Sequence, residues 1–330
     1  MSRAFTGAWR KVDGQWDREN GVIDACDRVW LLTGSFLPNS RPIEALPNFI
    51  ALGIIGPANM GGIISRKDYE QRFCRQENRW TPQGFDLMAR RNIDELAELM
   101  RRSGKILRRT AEDVAGELPP LIRSIVPLGG ITDCADPALK EAAAKLGPGE
   151  LPPFDEMAAY RRDLGAVKAL PAAAWVHEHL EDQPEGSAIV VFCHHKVVGE
   201  AMQAWFTENG YKGVEFASGD DDAAERQAKV DRFADPKGPQ IFIGTMDACG
   251  TGMNGLHLRT TECVFVECAW TPATLDQAEG RIRRMGGKVA EHAVAHYLAA
   301  ADCLDMYIVE TVNDKREVIW QALDADEGLR

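Results

Sequence analysis

Short apolar runs alternate with amphipathic stretches through the second half of this chain. The runs cover 188–193, 240–245, 262–268 and 293–299, are rich in Val, Ile and Phe, and are too short for buried helices. Unbroken runs of this kind suit strands covered on both faces, and they predict a parallel sheet flanked by helices. Between the first two runs, Val198, Ala201, Met202 and Trp205 recur at spacings of three and four, and Asn209-Gly210 follows as a stop signal. Further helices are expected over 222–233 and 303–323. The first half reads differently. One strand-like run, 29–32, precedes a segment of helical periodicity, as at Ile93, Leu96, Ala97 and Met100. Residues 134–165, with Gly147-Pro148-Gly149 and Leu151-Pro152-Pro153, read as a linker plus a short helix, which sets a boundary near 165.

Composition narrows the class. With 330 residues, 45% of them hydrophobic, the chain is long enough for two compact domains and is neither fibrous nor disordered. A net charge of −12 excludes a protein that coats nucleic acid by bulk attraction, so any DNA contact must be concentrated. The eight cysteines include no Cys-x-x-Cys pair, so free thiols in a reducing cytoplasm are expected and no metal site is. No stretch approaches 18 apolar residues and the N-terminus has no secretory core, so a cytoplasmic, membrane-free protein is expected. Cys193-His194-His195 raises a thiol nucleophile with its base, or a set of metal ligands. At the end of a buried strand, however, a packed Cys193 is the stronger expectation, because neighbouring residues point to opposite faces.

Two stretches carry chemistry. In Gln277-Ala278-Glu279-Gly280-Arg281-Ile282-Arg283-Arg284-Met285-Gly286, Arg281 and Arg284 stand three apart and are expected on one helix face. Two guanidiniums fixed together suit a polyphosphate, since each fork donates several charge-assisted hydrogen bonds. Upstream, Ile243-Gly244-Thr245 empties into Cys249-Gly250-Thr251-Gly252-Met253-Asn254, where Gly250 and Gly252 let backbone amides approach a phosphate. Such a loop lies at the carboxyl end of a parallel strand, where these sheets bind ligands.

Taken in order, these stretches resemble the C-terminal motifs of the Swi/Snf-related branch of helicase superfamily two. Val190 to His195 looks like the strand that opens the lobe, and Gly219, Glu225-Arg226-Gln227 and Asp231-Arg232-Phe233 resemble the next block. The glycine loop, Trp270-Thr271-Pro272 and the arginine stretch follow, with Cys249, Thr271 and Gly287 departing from the usual residues. Leu31-Leu32-Thr33-Gly34-Ser35-Phe36-Leu37-Pro38-Asn39 resembles the motif that closes the first lobe, with Ser35 and Phe36 in place of Thr-Pro. Asn92, Glu95-Leu96, Leu107-Arg108-Arg109, Asp113-Val114 and Leu118-Pro119-Pro120 resemble the family's helical insertion.

The resemblance implies an α/β, RecA-like parallel sheet with flanking helices over 166–330. Ahead of it come a remnant of the first lobe (1–50), the helical insertion (51–133) and a linker (134–165). It also implies roles: Arg281 and Arg284 as arginine fingers; Gln277, Gly250, Gly252, Asn254 and Gly34 at the ATP cleft; His194, Lys196, Gly219, Thr245 and Thr251 along double-stranded DNA. The basic cluster Arg101, Arg102, Lys105, Arg108 and Arg109 suits either DNA or a solvated helix face.

Neither Gly-x-x-x-x-Gly-Lys-Ser/Thr nor an Asp-Glu-x-His run occurs in the sequence. Those elements hold the phosphates of ATP and its Mg²⁺. Alone, the chain is therefore expected not to hydrolyse ATP, and a separate chain carrying the nucleotide-binding first lobe is the expected partner. A DNA-binding or regulatory module that has lost the motor, or a truncated fragment of it, is the alternative.

Overall fold

The structure is a computed structural model that describes residues 8–13, 15–19, 21–56, 62–79, 81–108, 118–129, 131, 154–249, 253–288, 290–300 and 304–323. The chain forms two compact units, 1–114 with 313–330, and 115–312.

The first unit opens with an antiparallel hairpin of β1 (Ala8–Val12) and β2 (Gln15–Glu19). Next come α1 (Leu46–Ala51), α2 (Arg66–Tyr69), the antiparallel pair β3 (Gln76–Glu77) and β4 (Phe85–Asp86), and α3 (Ile93–Ser103). The expected periodicity of α3 is real: Leu96, Ala97 and Met100 are buried with Phe49, Tyr69 and Phe73. Gly104 stops α3 at φ 59°, a left-handed geometry that glycine adopts without strain. The basic cluster beyond it is partly spoken for: Arg101 pairs with Glu98, and Lys105 donates to Leu52 O at 2.6 Å. Arg109 lies outside the described residues.

The run 29–32 is not a strand. Among the described residues no strand pairs with it, and Trp30 and Leu32 are 80% and 91% exposed. An extended segment becomes a strand only through hydrogen bonds to a neighbour, which its own sequence does not supply.

The second unit is a six-stranded parallel sheet in the order β5-β10-β9-β6-β8-β7. Its strands are β5 (Leu121–Leu128), β6 (Ile189–Cys193), β7 (Glu215–Ala217), β8 (Ile241–Thr245), β9 (Glu262–Phe265) and β10 (Ala293–Ala300). Alternate residues explain why the central runs are wholly apolar. Val190, Phe192, Phe242, Phe265 and Tyr297 enter one core, and Ile189, Val191, Ile243, Val264 and Leu298 the other. Three helices cover the first face: α6 (Ala223–Ala234), α8 (Pro272–Glu279) and the start of α9 (Leu304–Leu323). The other is covered by α4 (Phe154–Glu181) and α5 (Lys196–Glu208). Asp222 caps α6 through the backbone N–H groups of Ala224 and Glu225, and Glu225 answers in a capping box. The parallel sheet flanked by helices that the pattern predicts, and the α/β RecA-like layering that the resemblance implies, are thus present.

Several elements differ from the sequence expectation. The run 262–268 is a strand only to Phe265, because Glu267 and Cys268 turn away to make side-chain and carbonyl bonds at the sheet edge. The short helix near 165 is instead the start of the 28-residue α4, whose Pro171 is accommodated inside it. β5 and β7 carried too little apolar alternation to be recognised: β5 interposes Arg123, Ser124 and Pro127. Cys74, Cys193, Cys249, Cys263 and Cys268 are buried free thiols as expected, whereas Cys26 is exposed. Trp270 packs edge-on to Tyr307, and Trp320 is 51% exposed.

Candidate active site at the carboxyl edge of the sheet

All six strands run the same way, so their carboxyl ends open on one edge, the edge at which α/β sheets bind ligands. At the end of β6, Cys193 is fully buried, donates weakly to Gly244 O at 3.8 Å, and has its thiol pushed up by burial. It is a packing residue. His195 turns instead to Glu267, with Nδ1 2.6 Å from Oε1. Glu267 is 3% exposed and also accepts the backbone N–H groups of His194 at 2.8 Å and His195 at 2.9 Å. Burial pushes the Glu267 carboxyl up, but the bonds from His195 and His194 outweigh it and hold the group below the usual range. His194 beside it is lowered by burial first and then by Arg161, which favours the neutral ring. Arg161, from α4, donates to the carbonyl of Cys268.

The arginine pair sits on a turn rather than a helix face. α8 ends at Glu279, and the chain continues through tighter bonds, Arg281 N to Ala278 O at 2.9 Å and Ile282 N to Glu279 O at 3.2 Å. The expectation of a shared helix face fails because the backbone bonds tighten to an i−3 pattern beyond Glu279, yet the two guanidiniums still come together. Arg281 Nη1 donates to Met253 O at 2.8 Å, and Arg284 Nη1 to Asn254 Oδ1 at 2.8 Å, so both rest on consecutive residues at the exit of the glycine loop. Burial, and then Arg284, lower Arg281 from its ordinary value. Gln227 of α6 secures the same loop through Nε2 to Asn254 O at 2.8 Å.

Glu279 fixes this turn to the sheet, and sequence reasoning did not single it out. Its carboxylate is 2% exposed, takes both arms of the Arg123 fork at 2.7 Å, and accepts Tyr297 OH at 2.6 Å. Arg123 is on β5 and Tyr297 on β10, so the root of the arginine turn is tied to two strands. Lys168 is a second unanticipated anchor. Fully buried, it donates to Leu298 O at 2.8 Å and to Val266 O, and pairs with Asp305 at the start of α9. Glu279 lies inside the arginine stretch but carries no role that the motif assigns, and Lys168 belongs to no motif.

The remaining candidates are scattered. Gly250, Thr251 and Gly252 lie outside the described residues. Thr245 is at the end of β8, 6% exposed and opposite Cys193. Gln277 is exposed on α8, and Gly219 is exposed after β7. Lys196 is exposed but engaged by Asp220 at 2.5 Å and Glu200 at 3.2 Å. Gly34 is exposed in the first unit, beside a local Thr33–Ser35 turn bond of 3.1 Å. The arginine pair has the donor chemistry for phosphate oxygens and none for a metal ion.

Residues 172–286 match the family model described as the helicase conserved C-terminal domain. Among curated proteins, the chain is 28% identical over 310 residues to the SWI/SNF-related matrix-associated actin-dependent regulator of chromatin subfamily A-like protein 1 of Xenopus tropicalis, covering 91% of this chain and 31% of that protein. It is 25% identical over 315 residues to the DNA annealing helicase and endonuclease ZRANB3 of Homo sapiens, covering 92% of this chain and 27% of that one. Among solved structures, the C-terminal part of the Fun30 ATPase domain aligns at 19% identity with a TM-score of 0.36, covering 53% of each chain. The chain spans about three tenths of the length of these curated relatives. The family model over 172–286 and the relatives together support a likeness to the C-terminal part of a Swi/Snf-type helicase of superfamily two.

Proposed function

We propose that this chain is the C-terminal half of an ATP-driven translocase on double-stranded DNA, supplying arginine fingers and part of the DNA track. One observation carries the reading: Arg281 and Arg284 converge on Met253 and Asn254 at the mouth of the glycine loop, on the ligand-binding edge of the sheet. Guanidiniums held there in advance would meet the charge that develops on a transferred phosphoryl group, with little reorganisation on reaction. The bonds of Arg281 to Met253 O and of Arg284 to Asn254 Oδ1 are to neutral acceptors, which phosphate oxygens outcompete. ATP supplies the phosphoryl group, and its Mg²⁺ requires carboxylate or hydroxyl ligands from outside this sequence. The nucleotide-binding first lobe is therefore the proposed partner, and the exposed Trp30 and Leu32 on an unpaired extended segment are where a neighbouring strand would add. His194, Lys196, Gly219, Thr245 and Thr251 form the proposed DNA track. Among the described residues no helix is long and apolar enough to cross a membrane, and a cytoplasmic location is part of this proposal.

The test is DNA-stimulated ATP hydrolysis by this chain alone and mixed with a candidate first-lobe chain. Activity confined to the mixture and abolished by Arg281→Ala is the expected result. Silence in both, together with salt-dependent DNA affinity that ignores nucleotide, would favour a non-catalytic DNA-binding module.

A further inference from the structure

The opposite edge of the same sheet carries a second cluster of chemistry. Glu262 is the first residue of β9, and His296 lies on β10 opposite Val264. Residues two apart on a strand share a face, so Glu262 and His296 are diagonal neighbours on the face that carries Val264, the face covered by α4. His179, in the last turn of α4, comes down onto them. One ligand atom from each residue, two imidazole nitrogens and a carboxylate oxygen, all lie within 4.8 Å of one another. His179 Nε2 already meets Glu262 Oε2 at 2.8 Å.

His296 is the unexplained member. Both of its ring nitrogens are shut off from solvent, and among the described residues neither has a hydrogen-bond partner. A polar pair left unmade in this way costs free energy without a visible return. Trp175 walls the cluster, stacked on His179 at 5.0 Å and tilted to His296 at 5.2 Å.

We propose that His179, Glu262 and His296 bind a divalent transition-metal ion of the zinc class, clamping the end of α4 to β9 and β10. Two imidazoles and one carboxylate favour Zn²⁺, Co²⁺ or Ni²⁺ over Mg²⁺ or Ca²⁺, which take oxygen ligands. At metal–ligand bonds of about 2.1 Å, tetrahedral ligand atoms sit about 3.4 Å apart, so no gap here has to close by more than about 1.4 Å, and the His179–Glu262 pair at 2.8 Å opens by about 0.6 Å. A fourth position is left for water. Glu262 precedes Glu267 by five residues, or about 16 Å of extended chain, so this site is separate from the carboxyl edge and does not depend on the translocase reading.

The experiment is titration of the untagged, chelator-treated full chain with Co²⁺, read by visible d–d absorption. One equivalent should give a saturable low-symmetry spectrum that Zn²⁺ displaces. Loss of a second-shell partner alone weakens metal sites by about 10–100-fold, so His179→Ala, Glu262→Gln and His296→Ala should each weaken binding at least tenfold. His292→Ala, at an exposed histidine outside the cluster, should leave it unchanged. His179→Ala is the safest variant for folding, and circular dichroism checks all four. Absence of a one-equivalent spectrum in the folded wild type overturns the proposal, as does a spectrum that persists with unchanged affinity in the three cluster variants.

Discussion

Replacing Arg123 by Met tests whether Glu279 anchors the arginine turn. The substitution keeps the stem and removes the fork, leaving a carboxylate that is 2% exposed and still accepts Tyr297 OH. Removing one partner of a fully buried ion pair destabilises by about 3–5 kcal/mol. The Arg123 side chain is 41% exposed, so water compensates in part and about 2–3 kcal/mol is expected. Tyr297→Phe removes a single charge-assisted bond and should lose about 1.5–3 kcal/mol. Glu279→Gln should be destabilising alone and less so in the Arg123→Met background, with a coupling of at least about 1 kcal/mol because the two groups share both bonds. Urea unfolding followed by circular dichroism gives the four corners of that cycle, and hydrogen exchange at 280–284 reports loosening of the turn. Additive effects, or a loss below about 0.5 kcal/mol for Arg123→Met, would refute the anchoring role.

Other expectations follow from the same geometry. In Gly165→Ala the new Cβ would lie 2.5 Å from Glu267 Oε1 and 3.1 Å from Val198 Cγ2, so a loss of about 1–3 kcal/mol is expected in thermal unfolding, and a neutral result would show that α4 shifts freely. The folded-state pKa of Glu267 is depressed, so its stabilisation is complete above the ordinary carboxyl pKa of about 4.3 and is lost as pH falls through the lower folded value. Stability against pH should therefore be flatter on the acid side for Glu267→Gln; an unchanged acid limb would count against this. Trp30→Ser and Leu32→Ser should alter stability by less than about 0.5 kcal/mol, since both side chains are exposed, while weakening association with a first-lobe chain in a binding titration.

The central strands and their covering helices were legible because burial on both faces forces unbroken Val, Ile and Phe runs, a signal that needs no partner to be read. The arginine turn and the glycine loop were legible as a motif, since charge and backbone freedom are written directly in residue type. Their geometry was not: whether Arg281 and Arg284 share a helix face depends on how Gly280 ends α8, which local sequence leaves open. Residues 29–32 show the converse, an apolar run with strand propensity that is no strand, because a ladder needs a neighbour. Glu279, Glu267 and Lys168 draw their meaning from partners 156, 72 and 130 residues away. The meeting of His179, Glu262 and His296 depends likewise on a parallel register and on where α4 ends. Sequence alone determined which segments must be buried and which chemistry is available; only the tertiary structure decided which polar groups meet, because such meetings are set by strand order and register rather than by adjacency along the chain.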